Sequence, residues 1–288
     1  MSQLNTVTRR RHRRYRLQGF RARFLQDMHD FPDAPNILCE GDSWFGYPRK
    51  DLLDHIAELG RFNLLRTEKS GDELLKDMMR GDQRERLERN LNQFNFDLVL
   101  FSGGGNDILG VNLKDFLLKK ADRNGNSDVP EDYLAPAFNQ HVQQMDAAYR
   151  EIHALAQAGR TPCALMVHGY DQVYPGDKGF EFFGFTITGP WIKPTMDRPE
   201  YDIPHDQSLR NAIVATMLHT FNVMLSRLGD DPALPEFHYV KLLGTLTAAK
   251  RNWDNEIHPS SRGFKKLAEH YRLPMKQLLG SAVNDPDP

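Results

Sequence analysis

Cysteine is almost missing from this chain: Cys39 and Cys163 are the only two in 288 residues. Each lies in an apolar, strand-like run, so the pair reads as core thiols rather than a disulfide. Long apolar runs are missing as well. No stretch approaches the roughly 18 residues a membrane helix needs. The N-terminus passes from an Arg-rich start into a polar helical pattern, without the apolar core and small-residue cleavage site of a secretory leader. A cytoplasmic protein is expected, unless a signal-independent route exports it. No internal repeat is present, and no low-complexity tract beyond the Arg-rich start.

Charge of one sign is scarce only on average. The net charge is −2, yet Arg9, Arg10, Arg11, Arg13, Arg14, Arg16, Arg21 and Arg23 occur with no acid among them, leaving about −10 for the rest. Residues 1–30 are therefore set apart as a basic arm, helical from about Tyr15, that suits an anionic partner. A hydrophobic content of 40% can fill a core, which excludes disorder as the default. The length fits one domain with insertions, drawn at 31–280, followed by a tail at 281–288.

Short apolar runs at 36–40, 63–66, 97–102, 163–168 and 237–241 are bounded by Gly, Pro or Asp, as buried parallel strands are. Helical patterns at 50–59, 72–79, 83–92, 131–158, 207–228 and 261–279 alternate with them. This alternation predicts an α/β fold, a doubly wound parallel sheet with helices on both faces. Two stretches interrupt it: a polar excursion at 111–130, and 169–205, dense in Gly, Pro and aromatics such as Tyr170, Tyr174, Trp191 and Tyr201. Both leave from strand C-terminal ends, where such sheets place ligands. The second is expected to be a pocket wall, with an aromatic mini-core at the domain edge as the alternative.

The chemistry-bearing residues fall at the same rim. Glu40-Gly41-Asp42-Ser43-Trp44-Phe45 follows the first strand, Ser70-Gly71-Asp72 the second, and Gly103-Gly104-Gly105-Asn106-Asp107 the third. His168 ends the fourth, and Asn255-Glu256-Ile257-His258-Pro259 lies beyond the fifth. A lone serine in such a place is ordinarily a turn residue or a cap, an asparagine in a Gly-rich turn a helix cap, and most of the 11 histidines lie in helical patterns. The coincidence on one rim favours chemistry. A serine hydroxyl needs a base and donors for the oxyanion it creates, and a histidine and an amide supply them. His258 is kept out of the next helix by Pro259; His168 is its rival.

In that order, Gly-Asp-Ser, Gly-x-Asn-Asp and a late His-Pro resemble the SGNH, or GDSL-type, serine hydrolase family over roughly residues 35–280. The resemblance implies a three-layer α/β/α, flavodoxin-like fold with a five-stranded parallel sheet. It implies Ser43 as nucleophile, His258 as base, and an oxyanion hole built from the Ser43 N–H, the Gly71 N–H and the Asn106 side chain. Trp44, Asp107 and His168 are assigned to the substrate pocket, and neither metal nor cofactor is called for. The sequence departs from the family where an Asp usually stands three residues before the histidine: here it is Asn255. Asn255, a re-registered Asp254 or Glu256, or a backbone carbonyl alone are the candidate orienters of His258. The expected activity is hydrolysis of carboxylic esters, of a lipid, sugar or other small molecule. Two alternatives are carried: a platform whose basic arm binds nucleic acid or an anionic membrane, and a metal-dependent phosphoesterase using Asp42, Asn106, Asp107, His168 and His258. Oligomeric state is not legible.

Overall fold

The computed structural model describes residues 18–182, 185–247 and 249–286. Five strands, β1 (Asn36–Gly41), β2 (Asn63–Arg66), β3 (Leu98–Ser102), β4 (Ala164–His168) and β7 (Phe237–Val240), form one sheet in the order β2-β1-β3-β4-β7. Every pair is parallel. β1, β3 and β4 carry almost unbroken apolar side chains because both faces of the sheet are covered, which is why periodicity of two is not visible in them. A short antiparallel pair, β5 (Phe180–Phe182) and β6 (Phe185–Thr188), stands apart within the 169–205 insertion.

Helix α1 covers residues 18–30. It is followed by α2 (Leu52–Ala57), α3 (Gly81–Gln93), α4 (Gly105–Leu109), α5 (Leu113–Phe116), α6 (Pro136–Ala158), α7 (Ile192–Met196), α8 (Gln207–Gly229) and α9 (Ser261–Leu279). α2 packs against α9, and α6 against α3 and α8, so the sheet is sandwiched in three layers. α2 starts where Asp51 and Asp54 form a capping box, each side chain accepting from the other's backbone N–H. α9 starts at Ser260, whose hydroxyl accepts from the Gly263 N–H at 3.2 Å, so the chain leaves the loop carrying His258 at a fixed point.

Several boundaries differ from those expected. The pattern at 72–79 is realised as a short π-helical turn, Leu74–Met78, whose first N–H groups donate to the Asp107 carboxylate. The long pattern from 131 begins as a 3-10 turn, Pro130–Tyr133, and α6 starts at Pro136, where proline suits the first helical turn. The arm drawn at 1–30 divides. Residues 1–17 lie outside the described residues, while α1 is docked by Phe24, fully buried against Phe94 and Phe96, with Arg21 over the Phe94 ring. The start of the tail is also fixed: Val283 is buried and bridges to Gly60. Among the described residues no helix is long and apolar enough to cross a membrane.

Because Phe24 holds α1 on the body, Phe24→Ala should cost about 3–4 kcal/mol of unfolding free energy, the usual loss for truncating a buried phenylalanine. Urea denaturation at equilibrium reads this directly. A midpoint unchanged from the parent would mean that α1 is not part of the folded unit.

Candidate active site

β1 ends at Gly41, where a β-carbon would lie 2.8 Å from the Ser102 side chain, so only glycine lets β1 and β3 run this close. The chain then turns: the Gly46 N–H bonds to the Asp42 carbonyl at 2.9 Å, and the Trp44 N–H to the Asp42 carboxylate at 2.9 Å. Ser43 sits on this turn and is buried. Its Oγ lies 2.7 Å from His258 Nε2, across 215 residues of sequence. The other ring nitrogen, Nδ1, lies 3.0 Å from Asn255 Oδ1. Asn255 is therefore the contact partner of the imidazole.

Glu256 is not. Its carboxylate points into the 169–205 insertion and accepts four backbone N–H bonds, from Gly176 (3.0 Å), Trp191 (2.6 Å), Ile192 (2.9 Å) and Lys193 (2.9 Å). Asp254 faces away from the ring too, bonding the Tyr47 hydroxyl at 2.5 Å and Arg49 at 2.6 Å. Burial pushes the Glu256 carboxyl above its ordinary range, against the lowering by those four donors.

Asn106 lies in the first turn of α4, and its Nδ2 donates to the Asp72 carbonyl at 2.9 Å. That bond uses one amide hydrogen and aims the NH2 group; the second hydrogen remains for a ligand. Gly105 brings this backbone against the Tyr170 ring, where a β-carbon would meet ring atoms at 2.7 Å. Gly71 adopts a left-handed φ of 82°, next to Asp72, and is exposed. Ser43, Asn106, Asp42, Trp44 and Gly105 line one small cavity with Leu109, Tyr170, Val173 and Ile257. Gly71 is outside that lining.

Two residues assigned to the pocket are elsewhere. Asp107 is fully buried, and its carboxylate caps the π-helical turn by accepting from the Leu74 (2.6 Å) and Leu75 (3.0 Å) N–H groups. Its work is structural, and burial pushes its pKa up to about 7. His168 is also fully buried, stacked on Trp44 with ring centroids 5.5 Å apart, its Nδ1 2.8 Å from the Gly169 carbonyl. The ring lies beneath the pocket floor, and burial lowers its pKa to about 4. Trp44 does line the pocket, with its Nε1 donating to the Ile257 carbonyl at 3.2 Å.

Electrostatically the site is dominated by burial. His258 is pushed down to about 3, because desolvation opposes the imidazolium and no carboxylate touches the ring to restore it. Asp42, beneath Ser43, is pushed up to about 6 by the same cause. Among the described residues no group of three or more His, Cys, Asp or Glu side chains is arranged to hold a metal ion. Residues missed by sequence reasoning include Tyr47, stacked on His258 at 4.5 Å, and the pocket walls Leu109, Val173 and Ile257. Tyr47 carried no signal, since its hydroxyl partners lie 207 and 208 residues away.

No family model matches the sequence, and no curated protein matches it. Solved structures do resemble the chain. They include an extracellular lipase from Streptomyces rimosus (17% identity, 87% of this chain and 100% of that one, TM-score 0.48). Another is the lipase Lip_vut3 from a goat rumen metagenome (14% identity, 83% and 97%, TM-score 0.47). A third is a candidate GDSL-like lipase from Bacteroides ovatus (11% identity, 87% of this chain, TM-score 0.49), of which the chain spans 55%. The last of these carries the name of the family that the sequence motifs resemble. The function proposed below rests on the geometry of the chain's own residues.

Glu256 ties the 169–205 insertion to the loop carrying His258, so Glu256→Gln sets an amide NH2 against backbone donors. It should cost about 2 kcal/mol locally and speed limited proteolysis within 171–205. Cleavage at the parent rate in that segment would show that the carboxylate is not what holds the insertion.

Proposed function

We propose that this protein is a serine hydrolase that cleaves esters of short acyl groups. The observation that carries this reading is the 2.7 Å contact between Ser43 Oγ and His258 Nε2, with Ser43 and Asn106 lining one cavity. In the first half-reaction the Ser43 oxygen attacks the ester carbonyl carbon while His258 Nε2 takes the hydroxyl proton. The carbonyl oxygen becomes an oxyanion, which the free Asn106 N–H and the backbone N–H of Ser43 would stabilise, with the Gly71 N–H as a third donor. Collapse breaks the carbon–oxygen bond to the alcohol, which leaves with the proton from His258. Water, deprotonated by the same nitrogen, then hydrolyses the acyl-Ser43 and regenerates the hydroxyl.

The acyl preference follows from volume. The enclosed part of the cavity is small, with room for about one water, comparable with the methyl of an acetyl group. Its walls resist widening: Val173 and Leu109 are buried core residues, Trp44 is tied to Ile257, and the Tyr170 hydroxyl is tied to Asp42. Longer chains would have to displace these side chains.

Aryl esters from acetate to octanoate, assayed on the full chain, should give a kcat/KM that falls at least about tenfold between acetyl and hexanoyl, the usual loss when a packed wall must move by a few atoms. Ser43→Ala should lower kcat by about a thousandfold or more with the fold intact, and an organophosphonate should label Ser43. Activity rising with chain length would remove the short-acyl reading. Near-normal turnover in a folded Ser43→Ala protein would remove the nucleophile.

A base must be neutral to accept a proton. A folded-state pKa of about 3 keeps His258 neutral from there upward, so ester turnover should stay flat through mildly acidic pH and fall only near pH 3 or at acid unfolding. Kinetics in overlapping buffers would show it. A midpoint near 6.5 would mean that the imidazolium is stabilised far more than this environment allows.

A further inference from the structure

We infer that Tyr47 and Asp254 are positioning residues for His258, acting through Asn255, so that the anion supporting the imidazole is one amide and one hydroxyl away from it. This rests on the Ser43–His258 reading above. The contacts run in series. Asn255 Oδ1 lies 3.0 Å from His258 Nδ1, and Asn255 Nδ2 donates to the Tyr47 hydroxyl oxygen at 3.1 Å. That hydroxyl donates to Asp254 Oδ2 at 2.5 Å, and Arg49 Nη1 holds Asp254 Oδ1 at 2.6 Å.

Each direction is forced. Asn255 Oδ1 also accepts from the Ile257 and His258 backbone N–H groups, at 3.1 and 2.9 Å, so a flipped amide would face donor to donor. The Tyr47 proton goes to the carboxylate, the strongest acceptor in reach, and its oxygen lone pair is left for Asn255. Burial and the neighbouring Asp254 both raise the Tyr47 pKa, which keeps that proton in place. His258 Nδ1 must then be the donor to Asn255, which leaves Nε2 bare and facing Ser43. A chain of this kind fixes the tautomer a base requires. It also polarises the amide oxygen toward Nδ1, since linked hydrogen bonds strengthen one another in a low-dielectric site. The Tyr47 ring, 4.5 Å from the imidazole and inclined by 25°, holds its plane.

The neighbours of the ring offer no competing anion. The Glu256 carboxylate is occupied by the insertion's backbone, and the Trp191 ring, 6.0 Å away, brings no charge. A purely structural alternative exists, in which Asp254 merely pins the loop to Arg49. Moving the charge separates the two. Asn255→Asp puts a carboxylate in direct contact with Nδ1, and this should compensate for loss of Asp254 only if Asp254 acts on the imidazole.

The full chain would be compared with Asp254→Asn, Tyr47→Phe, their double mutant, and Asp254→Asn combined with Asn255→Asp, each checked for folding by thermal melting. With aryl acetate, each single change should lower kcat on the order of tenfold with KM within about twofold, and the double should be no worse than the poorer single, as for groups in series. The charge-relocated variant should return to within about threefold of the parent. Parent-like kcat in folded Asp254→Asn and Tyr47→Phe would overturn the proposal, as would failure of Asn255→Asp to rescue. A second readout does not depend on turnover: the His258 Nδ1–H proton resonance should be present in the parent and move upfield in Asp254→Asn and in Tyr47→Phe. An unmoved resonance overturns the relay. Absence of ester turnover or phosphonate labelling in the parent, with the resonance moving as stated, would instead remove the hydrolase reading and leave the relay standing.

Discussion

Beneath the candidate nucleophile, one buried carboxylate joins three strand ends. Asp42 accepts from the Trp44 N–H at 2.9 Å, from Ser102 Oγ at 2.8 Å and from the Tyr170 hydroxyl. These donors come from the turn after β1, the last residue of β3 and the segment after β4. Ser43 lies on the turn so held, Gly105 packs on the face of Tyr170, and Tyr170 forms a wall of the cavity. The hold has a cost. Burial raises the Asp42 pKa to about 6 even against three donors, so its contribution to stability is fullest at acid pH and declines as pH rises through that value. Glu40 below it, raised to about 8, and Asp107 beside it, raised to about 7, carry the same sign. The floor of the site thus gathers carboxyls whose ionisation the fold resists.

The loop gives a physical reason for an amide at position 255. A carboxylate there would stand between Asp254 and Glu256 in sequence and be buried, adding a further anion to a loop that already holds two. Asn255 keeps the acceptor that the imidazole needs and carries no charge. Its amide nitrogen then finds the Tyr47 hydroxyl, and the nearest anion is Asp254, which has Arg49 as counter-ion at the protein surface. Charge is held where solvent and a guanidinium can support it.

The strands were legible because buried parallel strands are short apolar runs with clear ends, and β2 was read to the residue. The rim was legible because parallel strands bring their C-terminal ends together whatever their order. Ser43, Asn106, Asn255 and His258 were singled out that way, the last two three residues apart on one loop, and Ser43, His258 and Asn255 lie in contact. Asp107 and His168 were misplaced because position at a strand end does not reveal whether a side chain faces the cleft or the layer below. Asp107 turns to the π-helical turn, and His168 slips under Trp44. Tyr47 and the clasp by Glu256 were not legible at all. Their partners are far away in sequence or are backbone N–H groups, which carry no residue signature. Phe24 was overlooked for a different reason: the arginines of the arm outweighed, in composition, one apolar residue that docks its second half.

In the proposed reaction, a base with so low a pKa is always available and intrinsically weak, and this sets what the rest of the site must supply. Moving the imidazole from its ordinary 6.5 to about 3 corresponds to a penalty on the order of 5 kcal/mol for the imidazolium that proton transfer creates. Availability at neutral pH gains nothing from the shift, because an unperturbed histidine is already mostly neutral there. The penalty must therefore be offset in the transition state itself. Three groups are placed to do it: the developing oxyanion, which attracts the imidazolium across the short Ser43–His258 contact, the Tyr47 ring stacked on the imidazole, and the polarised Asn255 oxygen. All three act as charge develops and add little while the imidazole is neutral. In the hydrolase proposed here, such an arrangement would stabilise the transition state more than the resting enzyme, which is the condition for catalysis.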